Sequence, residues 1–299
     1  MMPPPSSGQR PNFFIPGAAK SWTTSLWYYL DQHPEIFLSH WKEPHFFCDL
    51  YKAVRSEAEY WNLFRDASEF TVRGEASTGY LSCPTAASMF RSACPEARFV
   101  IILRHPADRA YSLYHHMRKR GHEPAATFER ALELETRRIS DPDFPKKATH
   151  YARNFFYYQS GLYDTQIASF LKEFPRDRFL FLTLGSLKSK PLETCRSIFD
   201  FLGVKTTFQP NLEPKNVGAT TARFPGFHHL LIQRIPRLLQ RQHPSVVIPA
   251  LSARWVDFLS MPVPPLDPIT RDRLCRNYAP SIESTARLTG LALDPGTRW

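Results

Sequence analysis

The chain has no apolar run of the roughly 18–20 residues that a bilayer-crossing helix needs, so no transmembrane segment is expected. Its start, MMPPPSSGQRP, lacks the apolar core of a signal peptide. Cysteine is sparse and unpatterned. Cys48, Cys83, Cys94, Cys195 and Cys275 form no CxxC pair and no Cys/His spacing of a zinc site, so no metal is expected. An odd, scattered set suits a reducing compartment, and a cytoplasmic location is the expectation. Acidic residues are outnumbered, 28 against 38 Lys and Arg, for a net charge of +10. Lysine supplies only 11 of those 38, and Lys215 is the last one. The surplus is therefore arginine, whose planar fork suits phosphate and sulfate, and an anionic ligand is favoured. No basic run and no aromatic RNA-binding motif accompanies it, so nucleic acid is not an expected partner.

What is present is globular: 299 residues, 42% hydrophobic and 14% aromatic, near the upper size for one hydrophobic core. Residues 1–11 are rich in Pro, Ser and Gly and read as disordered. Short buried runs read as strands at 12–16 (NFFIP), 35–39 (EIFLS), 70–75 (FTVRGE), 98–103 (RFVIIL) and 178–184 (RFLFLTL). Helical periodicity falls between them, at 23–31, 56–68, 85–93, 107–120, 125–140, 160–174 and 191–202. Residues 41–47 and 141–150 read as loops. Strands alternating with helices imply an α/β fold whose parallel sheet is covered on both faces. The expectation is one domain over 12–299, with an α/β core at 12–222 and a helical cover at 223–299. The basic apolar stretch 226–241, broken by Pro236, reads as a packed helix, with membrane-surface contact as the second reading. A further helix opens at Asp267-Pro268. Oligomeric state is not encoded in any of these patterns.

Two anion cradles follow from the pattern. Between the first strand and first helix lies Gly17-Ala18-Ala19-Lys20-Ser21-Trp22-Thr23-Thr24. Such a turn points backbone N–H groups outward, the helix start adds partial positive charge, Lys20 a full charge, and Thr23 and Thr24 hydroxyls. The spacing is not that of a Walker A loop. The second cradle follows RFVIIL: Arg104 sits at the C-terminal edge of a parallel strand, where ligands bind, and Ser112 lies on the following helix. Two separated cradles suit a ligand with two separated phosphates.

On these residues the chain resembles the sulfotransferases that use 3′-phosphoadenosine-5′-phosphosulfate (PAPS), nearest to the bacterial and heparan-sulfate branch. The resemblance spans about 12–203, through NFFIPGAAKSWTTSLWYYLDQHPEIFLSHWKEPHFF, GEASTGYL, ARFVIILRHPADRAYSLYHHMRKRG and SGLYDTQIASFLKEFPRDRFLFLTLGSLKSKPLETCRSIFDFLGV. It implies a three-layer sandwich around a central parallel sheet, like that of P-loop NTPases. It implies that Lys20, Ser21, Thr23, Thr24 and Ser25 hold the 5′-phosphosulfate, and Arg104 and Ser112 the 3′-phosphate. Tyr163, Lys215 and Arg223 are further nucleotide contacts by position. The segment KEPHFF resembles the motif whose glutamate is the catalytic base, which points to Glu43, with Lys42 beside the acceptor. His45 is the competing base. Glu75, Ser77 and Tyr80 fall where the family places the acceptor. Lys20 would also stabilise the charge that builds on the departing phosphate, without a metal.

The family usually has glycine where this chain has Trp22. Three readings stay open: the loop shifts and still binds, the indole stacks on an aromatic group such as adenine, or the site is impaired. The acceptor would be a hydroxyl or amine of a saccharide, lipid or small metabolite. Two rivals remain, a sulfotransferase-fold module that binds an anionic glycan or nucleotide, and a P-loop kinase or ATPase.

Overall fold

In a computed structural model of the chain, the described residues are 10–215, 220–224, 230 and 260–299. The expected disorder at 1–9 and the 226–241 stretch, apart from Leu230, lie outside them. Arg10 and Pro11, grouped with the disordered start by composition, are placed: the Arg73 side chain donates to the Arg10 carbonyl at 3.0 Å, and Pro11 is buried.

The chain divides into two compact units, 1–105 with 163–217 and 279–299, and 106–162 with 218–278. The first holds a five-stranded sheet: β1 (Phe13–Gly17), β2 (Ile36–Leu38), β3 (Val72–Ala76), β4 (Arg98–Leu103) and β5 (Phe179–Thr183), in the order β2-β3-β1-β4-β5. Every pairing is parallel. The α/β fold with a central parallel sheet is as expected.

Alternation along each strand assigns the two faces. Phe13 and Ile15 of β1 and Val100 and Ile102 of β4 join a core cluster with Leu26, Trp27 and Leu30. Those three lie on α1 (Thr23–Leu30). The same cluster takes Leu187 from α8 (Leu184–Ser189) and Ile198 and Phe199 from α9 (Pro191–Leu202). The opposite face is aromatic. Phe14 and Phe99, register partners on β1 and β4, meet Phe90 of α3 (Ala86–Ala93) and Phe170 of α7 (Tyr163–Glu173). Glu75 is the register partner of Phe14 on β3 and so shares this aromatic face.

Helix α2 is shorter than the periodicity suggested, Glu57–Asn62, with Ser56 accepting from the Glu59 N–H as its cap. Helix α8 follows β5 directly, where the sequence suggests no helix, with Thr183 capping it by accepting from the Ser186 N–H. In the second unit, α4 (Pro106–Lys119), α5 (Phe128–Ser140) and the short α6 (Phe144–Lys147) pack around a buried ion pair. There Arg138 donates twice to the fully buried Glu123 carboxylate, which also accepts from the Tyr157 hydroxyl. This unit also holds an antiparallel strand pair, β6 (Thr220–Ala222), at the end of the expected α/β core, and β7 (Ser260–Pro262), which falls in the stretch 223–299 expected to be helical. The C-terminal helix, α10 (Pro268–Thr289), runs well past Cys275. Among the described residues no helix is long and apolar enough to cross a membrane.

Candidate active site

The sheet order changes direction beside β1, which puts the C-terminal ends of β1 and β4 at the kind of switch point where parallel sheets bind ligands. Gly17 ends β1 here. A Cβ on it would come within 2.7 Å of the Leu81 side chain, so only glycine lets the chain pass. The Ala18 N–H then donates to the Ile102 carbonyl at 2.8 Å, which holds the loop against β4. Lys20 (φ 71°) and Trp22 (φ 59°) are left-handed, with Ser21 between them. Left-handed residues of this kind occur in anion nests, and the Ser21 N–H between them donates to the Ala18 carbonyl at 3.2 Å. No side chain caps the start of α1. Ser21 Oγ is fully buried and has no hydrogen-bond partner. An unpartnered buried hydroxyl in such a loop at a helix start fits an anion's oxygen atom. Thr23 is buried and Thr24 half-buried beside it.

Trp22 keeps the left-handed backbone that glycine would adopt there. Its half-buried indole packs against the α1–α9 cluster, with the Lys188 ammonium 4.7 Å from the ring centroid. The indole thus sits between that cluster and Lys188 of α8.

Ser25, expected at the phosphosulfate, exchanges hydrogen bonds with the Lys215 backbone instead: its hydroxyl donates to the carbonyl at 3.0 Å and accepts from the N–H at 3.2 Å. Tyr29 and Gln32, one and two turns on, bond Leu212 and Asn211. One face of α1 therefore carries residues 211–215 as a strap, and Lys215 pairs with Glu213.

At the end of β4, the Arg104 guanidinium donates to the Lys20 carbonyl at 3.1 Å, which ties the two expected cradles together. Tyr163, expected on the nucleotide, is buried and donates its hydroxyl to the Arg104 carbonyl at 2.9 Å. Ser112, half-buried on α4, and Arg223, exposed beyond β6, belong to the second unit.

The loop after β2 carries Glu43 (φ 65°) and His45 (φ 50°), both left-handed. Such conformations are costly and persist only where surrounding contacts hold them. The Glu43 N–H donates to the Ala76 carbonyl at 3.0 Å, at the end of β3. The Glu43 carboxylate accepts from Lys42 Nζ at 2.8 Å, from the Thr78 N–H at 2.8 Å and from the Thr78 hydroxyl at 3.1 Å. His45 Nε2 lies 3.1 Å from Oε2. Burial pushes this carboxyl up, but Lys42 and His45 outweigh it and hold it well below the usual carboxylate range. The group is therefore a carboxylate throughout the neutral range.

Beneath this loop lie Glu75, Ser77 and Tyr80, which the sequence placed beside the acceptor. All three are buried, and their polar atoms bond one another. Burial pushes the Glu75 carboxyl up to about 7, against the lowering effect of Tyr80 and Ser77. Thr78, with two donors on Glu43, was not singled out from the sequence, and nothing local in GEASTGYL distinguishes it. The same loops are joined by a Cys48–Cys83 disulfide. The scattered spacing of the cysteines gave no sign of this pairing across 35 residues. Cys48, Asp49 and Cys83 also form the one cluster of metal-ligand type found among the described residues, but its two sulfurs are bonded to each other.

Residues 10–219 match the family model of the sulfotransferase domain, well over half of the chain. The chain belongs to the sulfotransferase family. A solved sulfotransferase of Alicyclobacillus acidocaldarius superposes with a TM-score of 0.71 at 28% identity, covering 95% of this chain and 97% of that one. The membrane-associated sulfotransferase kil1 of Dictyostelium discoideum is 32% identical over 106 residues, 35% of this chain and 22% of that protein. The bifunctional heparan sulfate N-deacetylase/N-sulfotransferase 2 of Bos taurus is 26% identical over 202 residues, 65% of this chain. The sulfotransferase described here spans only 22% of the length of these curated relatives. Within the first unit, the anion loop, Arg104 and Glu43 of this sulfotransferase all follow the C-terminal ends of its parallel strands.

Proposed function

We propose that the chain transfers the sulfuryl group of PAPS to a hydroxyl or amine of an acceptor, a saccharide, lipid or small metabolite, with Glu43 as the proton acceptor. The observation that carries this reading is the left-handed loop at Lys20–Trp22 with the buried, unpartnered Ser21 hydroxyl, on the sheet edge that also holds Glu43. Lys20, Ser21, Thr23, Thr24 and the loop N–H groups would hold the 5′-phosphosulfate, and Arg104 the 3′-phosphate. When bound, the donor supplies an electrophilic sulfur and a phosphate leaving group.

Sulfuryl transfer, like phosphoryl transfer, depends on positioning and electrostatics around a loose in-line displacement. Glu43 takes the acceptor's proton as the new bond to sulfur forms. Lys20 and the loop N–H groups hold the negative charge that grows on the departing oxygen. His45, bonded to Glu43, fixes the carboxylate's orientation.

Calorimetric titration with 3′-phosphoadenosine 5′-phosphate and, separately, with ATP and magnesium tests the nucleotide assignment. Micromolar binding of the first and none of the second is expected; binding of neither would overturn it. Glu43→Gln should lower turnover by about 10²–10⁴-fold with nucleotide affinity retained. Full activity in that variant would remove Glu43 as the base.

A further inference from the structure

Glu75 is a buried carboxylate that no Lys or Arg pairs with among the described residues. Burying such a charge is costly unless hydrogen bonds replace its water. Three hydroxyls do so. Tyr80 donates to Oε1 at 2.7 Å, Tyr60 of α2 to the same oxygen at 3.3 Å, and Ser77 to Oε2 at 2.7 Å. Two of the three have a second bond. Ser77 Oγ accepts from the His45 N–H at 3.1 Å, and Tyr80 Oη accepts from the Phe47 N–H at 3.3 Å.

A hydroxyl has one proton to give. Because Ser77 and Tyr80 give theirs to Glu75, each turns lone pairs to the loop that carries Glu43 and His45. In its ionised form the carboxylate is an acceptor on both oxygens, and it thereby sets the direction of both relays at once. They end on alternate residues of the segment whose strained neighbours, Glu43 and His45, have positive φ.

We propose that Glu75 is a positioning residue: through Ser77 and Tyr80 it holds the loop that presents Glu43 and His45 to the acceptor. This rests on the reading of Glu43 as the base. A carboxamide of the same shape cannot do the same work, because its –NH₂ donates. The hydroxyl on that side would accept a hydrogen bond from the amide and turn its own proton toward the loop, where it would meet the loop N–H donor to donor and the link would be lost.

The test uses the full chain and its Glu75→Gln variant. The His45 ring resonances are identified in the NMR spectrum as those missing from His45→Gln. Affinity for 3′-phosphoadenosine 5′-phosphate is measured in parallel. The expected result is a shift or broadening of the His45 ring signals in Glu75→Gln with nucleotide affinity unchanged, since the anion loop is built from other residues. Should that variant fail to fold, Ser77→Ala cuts the single relay to the His45 N–H and should give the same shift. A folded variant with unmoved His45 signals would overturn the proposal. If the unaltered chain binds no nucleotide, the functional reading falls instead, and the His45 signals still decide the positioning role.

Discussion

Thr78 directs both of its donors at Glu43: its N–H lies 2.8 Å from Oε2 and its hydroxyl 3.1 Å from Oε1. The residue after Ser77 thus orients the carboxylate while Ser77 anchors the loop behind it. Thr78→Val keeps the N–H and the shape but removes the hydroxyl. A hydrogen bond to a charged group is worth about 1.5–3 kcal/mol. Turnover should therefore fall by roughly tenfold or more, with donor affinity unchanged, as measured by steady-state transfer of labelled sulfate and by calorimetry. Thr78→Ser should keep most of the rate. Wild-type turnover in the valine variant would show that the hydroxyl does not matter.

Lys42 is the neighbouring charge that most depresses the Glu43 carboxyl. Removing that cation must raise the carboxyl's pKa, because the charged form loses its partner. In Lys42→Met the acidic limb of the pH–rate profile should therefore move to higher pH. A limb that stays where it was would mean either that Glu43 is not the group titrating there or that Lys42 does not face it in solution.

Ser21 gives a prediction of unusual sign. Its buried hydroxyl has no partner, so removing it costs the free protein nothing in hydrogen bonding and relieves an unsatisfied group. Ser21→Ala should melt no lower than the parent in the absence of nucleotide. Its affinity for 3′-phosphoadenosine 5′-phosphate should nonetheless drop, by about 5–30-fold for the loss of about 1–2 kcal/mol. A variant that loses stability but not affinity would place the hydroxyl in the core rather than in the anion site.

The strands were legible because each is a short buried run closed by Gly, Pro or charge, and all five lie within about two residues of their expected limits. The anion loop was legible because its Lys, Ser and Thr sit in one continuous segment. The base loop was legible only in part. Glu43 lies in a local motif, but Thr78, its main support, is 35 residues away, as is the disulfide partner of Cys48. Nothing local marks such contacts. Polar residues at a strand end were expected to face the acceptor, but β3 pairs Glu75 with Phe14 on the aromatic face, and that register buries it. The β6–β7 pair joins segments some 40 residues apart, with no alternation long enough to show in either.

That buried Glu75 leads to a pH dependence whose sign is fixed. In the folded chain burial pushes its carboxyl up to about 7 from the ordinary 4.5. Between those two values the folded state holds more of this proton than the unfolded state, so raising the pH favours unfolding. The contribution is fully present below about pH 4.5 and is lost as the pH climbs through 7, amounting to about 3 kcal/mol as an upper bound. Glu75→Gln cannot titrate, and Glu43 contributes equally to both proteins. Chemical denaturation from pH 5 to 8 should therefore show wild type losing stability steadily relative to the variant. Curves that stay parallel would mean that Glu75 keeps an ordinary carboxylate pKa. A widening gap would show that the fold gives up stability to keep an ionised carboxylate under the Glu43 loop, which a group needed only for packing would not require.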